Sequence, residues 1–151
     1  ELAAIDGVPR SANVTALTKC EMCIMPAAVF REMIYASRIL NEKLMRLLAT
    51  RVRESNSRLI EHTVLDVRHR LYAELLRQSQ PRSGNAQERI VTPPPFHHVL
   101  AGRVGCRREQ ITRELSNMSN DGFAEKTRGG LVLKQPERMR ERIIAALRES
   151  S

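Results

Sequence analysis

From Ser37 to His62 the chain contains neither glycine nor proline, and Leu44, Leu48, Val52, Ser55, Leu59 and His62 recur at spacings of four, four, three, four and three. That period predicts one long helix with a narrow seam of the coiled-coil kind. A parallel homodimer and a helix laid on its own domain both fit the seam. Upstream, Pro26 can open a short helix whose Phe30, Met33 and Ile34 face a neighbour. Val14 to Leu17 and a stretch around Glu21 to Met25 read as short strands. Downstream, Asp66 has the chemistry of an N-cap.

The next apolar run, Phe96 to Arg103, predicts a short helix closed by Val104 and Gly105, a residue suited to the left-handed turn region. In the helix that follows, Ile111, Leu115 and Met118 recur at helical spacing and face a core. Asp121-Gly122 marks a tight turn, and Phe123 to Thr127 and Leu131 to Lys134 read as strands around an Arg128-Gly129-Gly130 turn. The segment Ser79 to Arg89, with Pro81, Ser83, Gly84 and Asn85, reads as a flexible loop. The predicted fold class is mainly α with small β elements (α+β): a long helix, then a winged helix-turn-helix.

The polar face of the second helix carries Arg107, Arg108, Glu109, Thr112 and Arg113. Such a face is either a solvated charged surface or a reader of the DNA major groove. The residue types suit the groove, since arginine can grip guanine O6 and N7 and glutamate can accept from cytosine N4. Arg128 at the hairpin tip is placed for phosphate, which positions a protein without reading sequence.

The net charge of +8 is compatible with nucleic acid, but it is spread along the chain and adds little to the pattern. At 3% aromatic content, stacking on single-stranded bases is a poor fit. Cys20 and Cys23 have metal-like spacing without a second pair nearby, Cys106 suits a small packed residue, and His97-His98 suits a helix start that can approach phosphate. No catalytic nucleophile–base pair and no metal set emerge, so the expectation is a protein that is not an enzyme. No apolar run approaches a membrane span.

At the start, Glu1-Leu2-Ala3-Ala4-Ile5-Asp6-Gly7-Val8-Pro9-Arg10-Ser11-Ala12 reads on its residues as a turn between two strands, with Gly7 and Pro9 as turn formers. It also has the residue types that hold a cyclic nucleotide: a carboxylate for a ribose hydroxyl, and an arginine and a hydroxyl for phosphate.

Two runs carry a family resemblance. Arg108-Glu109-Gln110-Ile111-Thr112-Arg113, within a Val-Gly-Cys-x-Arg-Glu frame, resembles the opening of the recognition helix in the catabolite activator protein/FNR superfamily of bacterial transcription regulators. Val64-Leu65-Asp66-Val67 resembles that family's hinge, and Glu1 to Ala12 is similar to its cyclic-nucleotide phosphate cassette. The Thr92-Pro93-Pro94-Pro95 entry departs from the pattern.

The resemblance implies base reading by Arg108, Glu109 and Arg113, with Arg107 and Thr112 on the same face and Arg128 on the wing. It implies Glu1 for ribose, Arg10, Ser11 and Ala12 for phosphate, and Ser55 and Asn56 for the base, although Asn56 changes the donor and acceptor set. It implies a homodimer on a palindromic double-stranded operator in the cytoplasm, RNA polymerase as a further partner, and cyclic AMP or cyclic GMP as effector with no tightly bound cofactor. The same scaffold sensing haem, nitric oxide, an iron–sulfur cluster or redox state, or acting without effector, is the alternative.

The implied organisation is 1–36 as the C-terminal part of a cyclic-nucleotide-binding β-roll, 37–65 as dimerisation helix and hinge, and 66–151 as the DNA-binding domain. Roughly 70 residues of roll would precede Glu1, because two short strands cannot bury a core alone.

Overall fold

The computed structural model describes residues 1–10, 12–16 and 18–149. The chain divides into two compact units, Glu1–Glu54 and Ser55–Ser151. The first holds α1 (Leu2–Asp6), α2 (Ala27–Ala36) and the start of α3 (Arg38–Val64). Pro26 stands as the N-cap of α2, and α3 is the long helix that the seam predicts. Glu1 to Asp6 forms no strand-flanked turn: Leu2–Asp6 is a helical turn closed by Gly7 at φ 75°, with the Asp6 carboxylate accepting from the Val8 N–H at 3.0 Å. Arg31 donates to the Ala4 carbonyl at 2.9 Å and ties α2 to α1.

Residues 13–16 and 19–26 are neither helix nor strand, which corrects the strands expected at Val14 and around Glu21 to Met25; Leu17 lies outside the described residues. A strand needs a neighbour for its N–H and C=O groups, and this unit has no strand among its described residues.

The second unit holds the end of α3, then α4 (Val67–Gln78), β1 (Gln80–Arg82), β2 (Asn85–Val91), α5 (His97–Val104), α6 (Arg108–Asn120), β3 (Ala124–Thr127), β4 (Gly130–Leu133) and α7 (Pro136–Glu149). The four strands form one antiparallel sheet in the order β1-β2-β4-β3. The core joins Leu71, Tyr72 and Leu75 of α4 to Leu100 and Val104 of α5 and to Ile111 and Met118 of α6, with Phe123, Leu133 and Met139 closing it. Tyr72 stacks on Phe123 with ring centroids 5.6 Å apart. The Arg142 guanidinium also lies over the Phe123 ring, 4.6 Å from its centroid. Asp66 caps α4 by accepting from the His69 N–H at 2.8 Å. Burial acts to raise its pKa, but bonds from His69 outweigh this and hold the carboxyl below its ordinary value.

The segment expected as a flexible loop, Ser79 to Arg89, is instead a hairpin turning at Ser83-Gly84, with Gly84 at φ 83°. Pro81 is tolerated because β1 is an edge strand, where a missing N–H breaks no ladder bond. Glu88 is buried on this hairpin and pairs with Arg82 and with Lys134 of the neighbouring strand region. The sequence pattern was given no element beyond Lys134, yet α7 starts on Pro136 and buries Met139 and part of Ile143, a four-residue spacing that signals a helix face.

A charged hub joins three helices. Glu74 of α4 is 2% exposed and accepts from Gln78 at 2.7 Å, from Arg103 of α5 at 3.0 Å and from Arg77 at 3.1 and 3.2 Å. Arg77 also donates to both carboxylate oxygens of Glu61 at 2.8 Å. Burial acts to raise the Glu74 pKa, but the donors from Gln78, Arg103 and Arg77 hold it below its ordinary value. Arg70 donates to the Leu65 carbonyl at 2.9 Å and the His62 carbonyl at 3.3 Å, satisfying carbonyls that the end of α3 leaves open.

Gly105 ends α5 at φ 69° and ψ 51°. A Cβ there would lie 3.1 Å from the His62 ring. Gly105→Ala is therefore expected to lower unfolding stability by about 1–2 kcal/mol through the left-handed backbone, read as a shifted denaturant midpoint at constant slope. An unchanged midpoint would show that the turn relaxes freely.

Candidate nucleic-acid interface

Helices α5 and α6 meet across a three-residue turn, Gly105-Cys106-Arg107. The Gly105 and Cys106 N–H groups both donate to the Ala101 carbonyl, at 2.9 and 3.0 Å, which fixes the angle of the second helix. Cys106 is half-buried, and burial pushes its thiol pKa up, with Arg70 opposing; it is a packing residue of the turn rather than a nucleophile. At the start of α6 the Gln110 side chain reaches back to accept from the Arg107 N–H at 3.3 Å. Arg107, at the N-cap, has no side-chain acceptor with which to satisfy first-turn donors. The helix thus opens toward solvent with N–H groups and the positive end of its dipole.

Ile111 and Met118 are fully buried and Leu115 is half-buried, while Arg107, Arg108, Glu109, Thr112 and Arg113 are exposed, as the period predicts. Several arginines of this unit are held by carboxylates. Arg68 pairs with Glu114 at 2.9 Å and Asp121 at 3.3 Å, Arg77 and Arg103 serve the Glu74 hub, and Arg82 pairs with Glu88. Arg108 and Arg113 hold no ion pair among the described residues, and neither does Glu109 between them. A charged side chain with no internal partner on the outer face of a rigid helix is available to a ligand.

The wing stands beside this helix. Strands β3 and β4 turn through Arg128-Gly129, with Thr127 opposite Gly130. Arg128 is exposed at the tip. Thr92 donates to the Gly129 carbonyl at 2.8 Å and Thr127 to the Gly130 carbonyl at 3.1 Å, so the tip is held from both sides. A Cβ on Gly130 would lie 2.4 Å from the Val91 carbonyl oxygen, so only glycine lets β4 lie this close to β2.

Between wing and helix lies a cleft of about 780 Å³. Pro95, Phe96, Leu115 and Leu131 give it an apolar lining, to which Arg108, Lys126, His97 and His98 add polar and basic groups. Sequence reasoning missed Lys126; its two-residue spacing from Ala124, which puts both on one strand face, and its pairing with Leu131 are the signal that carries it. It also missed the bond between His97 Nδ1 and Thr112 Oγ1, 2.9 Å long, because these residues are fifteen apart in sequence.

Glu1 is ion-paired with Arg51, Arg10 and Ala12 are exposed, and Ser11 lies outside the described residues. Ser55 and Asn56 are exposed on α3. Cys20 and Cys23 are exposed, and no cluster of three or more histidine, cysteine or carboxylate groups occurs among the described residues.

The Crp-like helix-turn-helix domain family matches residues 69–142, the segment that runs from α4 through the wing into α7. Residues 69–142 are thus similar to the helix-turn-helix domain of Crp-like proteins. Over 145 residues it is 27% identical to a CRP-like cAMP-activated global transcriptional regulator of Mycobacterium tuberculosis, covering 94% of this chain and 64% of that protein. The chain thus spans under two thirds of the length of the curated relatives it matches. Two CRP/FNR-type transcriptional regulators from Thermus thermophilus share its fold. One aligns with a TM-score of 0.60 at 18% identity, over 74% of this chain and 57% of the other. The second gives 0.59 at 19% identity, over 72% and 56%. The winged helix-turn-helix assignment agrees with these neighbours, and the relatives are regulators rather than enzymes.

Proposed function

We propose that this Crp-like chain regulates transcription by binding a palindromic double-stranded operator as a homodimer in the cytoplasm. The observation that carries the reading is that Arg108 and Arg113, with Glu109, hold no ion pair among the described residues and stand on the outer face of the second helix of the motif, while Arg68, Arg77 and Arg103 are paired within the unit. In this reading Arg108, Glu109 and Arg113 read base edges, Arg107 and Thr112 flank them, and Arg128 meets phosphate from the wing. Residues 66–151 are the DNA-binding domain, 37–65 the dimerisation helix with its hinge, and 1–36 the end of an effector domain.

The dimer is supported by α3, which buries no residue along its length while Ile39, Met45, Val52, Leu59 and Ile60 remain exposed. A parallel pair would present two recognition helices roughly 34 Å apart, one turn of DNA. Leu59→Asp is expected to yield monomers in sedimentation and to remove most of the affinity for a palindrome while retaining weak half-site binding. A wild-type monomer that binds palindrome and half-site equally would overturn this.

A cyclic nucleotide is the proposed effector. Glu1, Arg10, Ser11 and Ala12 supply the ribose and phosphate chemistry, and Ser55 and Asn56 the base contacts. The similarity to a cAMP-activated relative supports it. Calorimetric titration with cyclic AMP and cyclic GMP tests it directly. A ligand that binds the DNA-competent arrangement better shifts the population toward it. Arg10→Ala should therefore abolish nucleotide-enhanced operator binding and spare non-specific DNA binding. A wild-type operator affinity that neither nucleotide changes would favour another effector, such as haem, nitric oxide, an iron–sulfur cluster or a redox signal, or none. RNA polymerase is the proposed downstream partner.

A further inference from the structure

Thr112 lies one turn after Arg108 on the exposed face of α6. Its hydroxyl donates to the Arg108 carbonyl at 3.1 Å and sits 2.9 Å from His97 Nδ1. A hydroxyl has one hydrogen. The two bonds coexist when the His97 Nδ1–H donates and Thr112 Oγ1 accepts, so the hydroxyl is engaged on both sides. A helical threonine otherwise divides between two side-chain rotamers, one of which makes the backward bond to the carbonyl four residues earlier. The bond from His97 selects that one. The group left for a ligand is the methyl. Its surroundings agree, because Pro95, Phe96 and Leu115 line the same cleft as Thr112.

We infer that Thr112 reads a thymine methyl at one base pair of each half-site, and that His97 is the positioning residue that turns its hydroxyl away from the DNA. The inference rests on the DNA-reading role proposed for α6. The thymine C5-methyl is the apolar feature of the major groove, and a threonine methyl is a partner for it. His97 belongs to the first helix of the motif, so a residue outside the recognition helix sets what that helix reads.

The test uses a duplex selected by the wild-type protein, with each thymine replaced in turn by deoxyuridine, which lacks only the methyl. Wild type should lose affinity roughly fourfold at one thymine per half-site, the effect of about one methyl group withdrawn from contact. Thr112→Val should keep that sensitivity, and Thr112→Ser should lose it. His97→Ala should flatten the profile at that position, and His97→Asn, whose amide N–H hangs from the same Cγ, should restore it. A merely structural role for His97 would lower affinity at every position without changing the profile. A wild-type protein indifferent to deoxyuridine at every thymine, or a Thr112→Ser variant with the wild-type profile, overturns the inference while leaving operator binding intact. A protein that does not prefer its selected duplex over random DNA overturns the DNA-reading proposal and this inference together.

Discussion

Glu74→Gln is expected to lower the stability of the Ser55–Ser151 unit by about 2–3 kcal/mol, measured by denaturant unfolding. Breaking a buried ion pair costs ~3–5 kcal/mol when both partners are enclosed. The lower figure of about 2–3 kcal/mol applies here because Arg77 and Arg103 are 34% and 50% exposed, and water can re-solvate them. Glutamine keeps the shape but sets an N–H₂ donor against donors that the carboxylate now accepts. The hub also fixes α5 against α4, so its loss should loosen the turn before α6.

The pH dependence carries its own sign. The folded Glu74 pKa lies below its ordinary value of 4.5, so its contribution is fully present above that value and fades as the pH falls through the folded pKa. Wild type should therefore lose stability on the acid side, with Asp66 contributing in the same direction, and Glu74→Gln should lose less over that interval. A variant as stable as wild type at neutral pH, with an unchanged acid limb, would remove Glu74 from its role as hub.

Arg108→Ala is expected to weaken binding to the true operator by about 1–3 kcal/mol and to relax preference at one base pair. Arg128→Ala should instead weaken specific and random duplexes alike and reduce the salt slope by about one. The contrast follows from position. Arg108 stands at the start of a rigid helix with its guanidinium unpaired, where a bidentate grip on guanine depends on orientation. Arg128 sits on a two-residue tip, where a phosphate contact depends mainly on charge. Equilibrium titrations of both variants on operator and random duplexes, at several salt concentrations, separate the two roles. The same loss on both duplexes for both variants would show that α6 does not read bases.

Much of this architecture was legible in the residues because each element carried its own local signal. The apolar period of α6, the left-handed Gly105, the Asp66 cap, the Asp121-Gly122 turn and the two strands of the wing are all short-range features, and each is where the sequence places it. The exposed face of Arg107, Arg108, Glu109, Thr112 and Arg113 follows from the same period.

The strands expected between Val14 and Met25 failed because β-propensity makes no strand without a partner ladder. The hairpin of β1 and β2 was missed for the converse reason: Gln80-Pro81-Arg82 and Asn85 to Arg89 are too polar to signal burial, and pairing with β4 makes them a sheet. Sequence alone therefore determined the helix-turn-helix, its wing and the polar face of α6, since backbone propensity and hydrophobic period act over a few residues. Only the tertiary structure decided which arginines remain free and how Thr112 is held. The partners that consume Arg68 and Arg103, and the His97 ring that engages Thr112, come from 15 to 53 residues away, a range over which local sequence exerts no control.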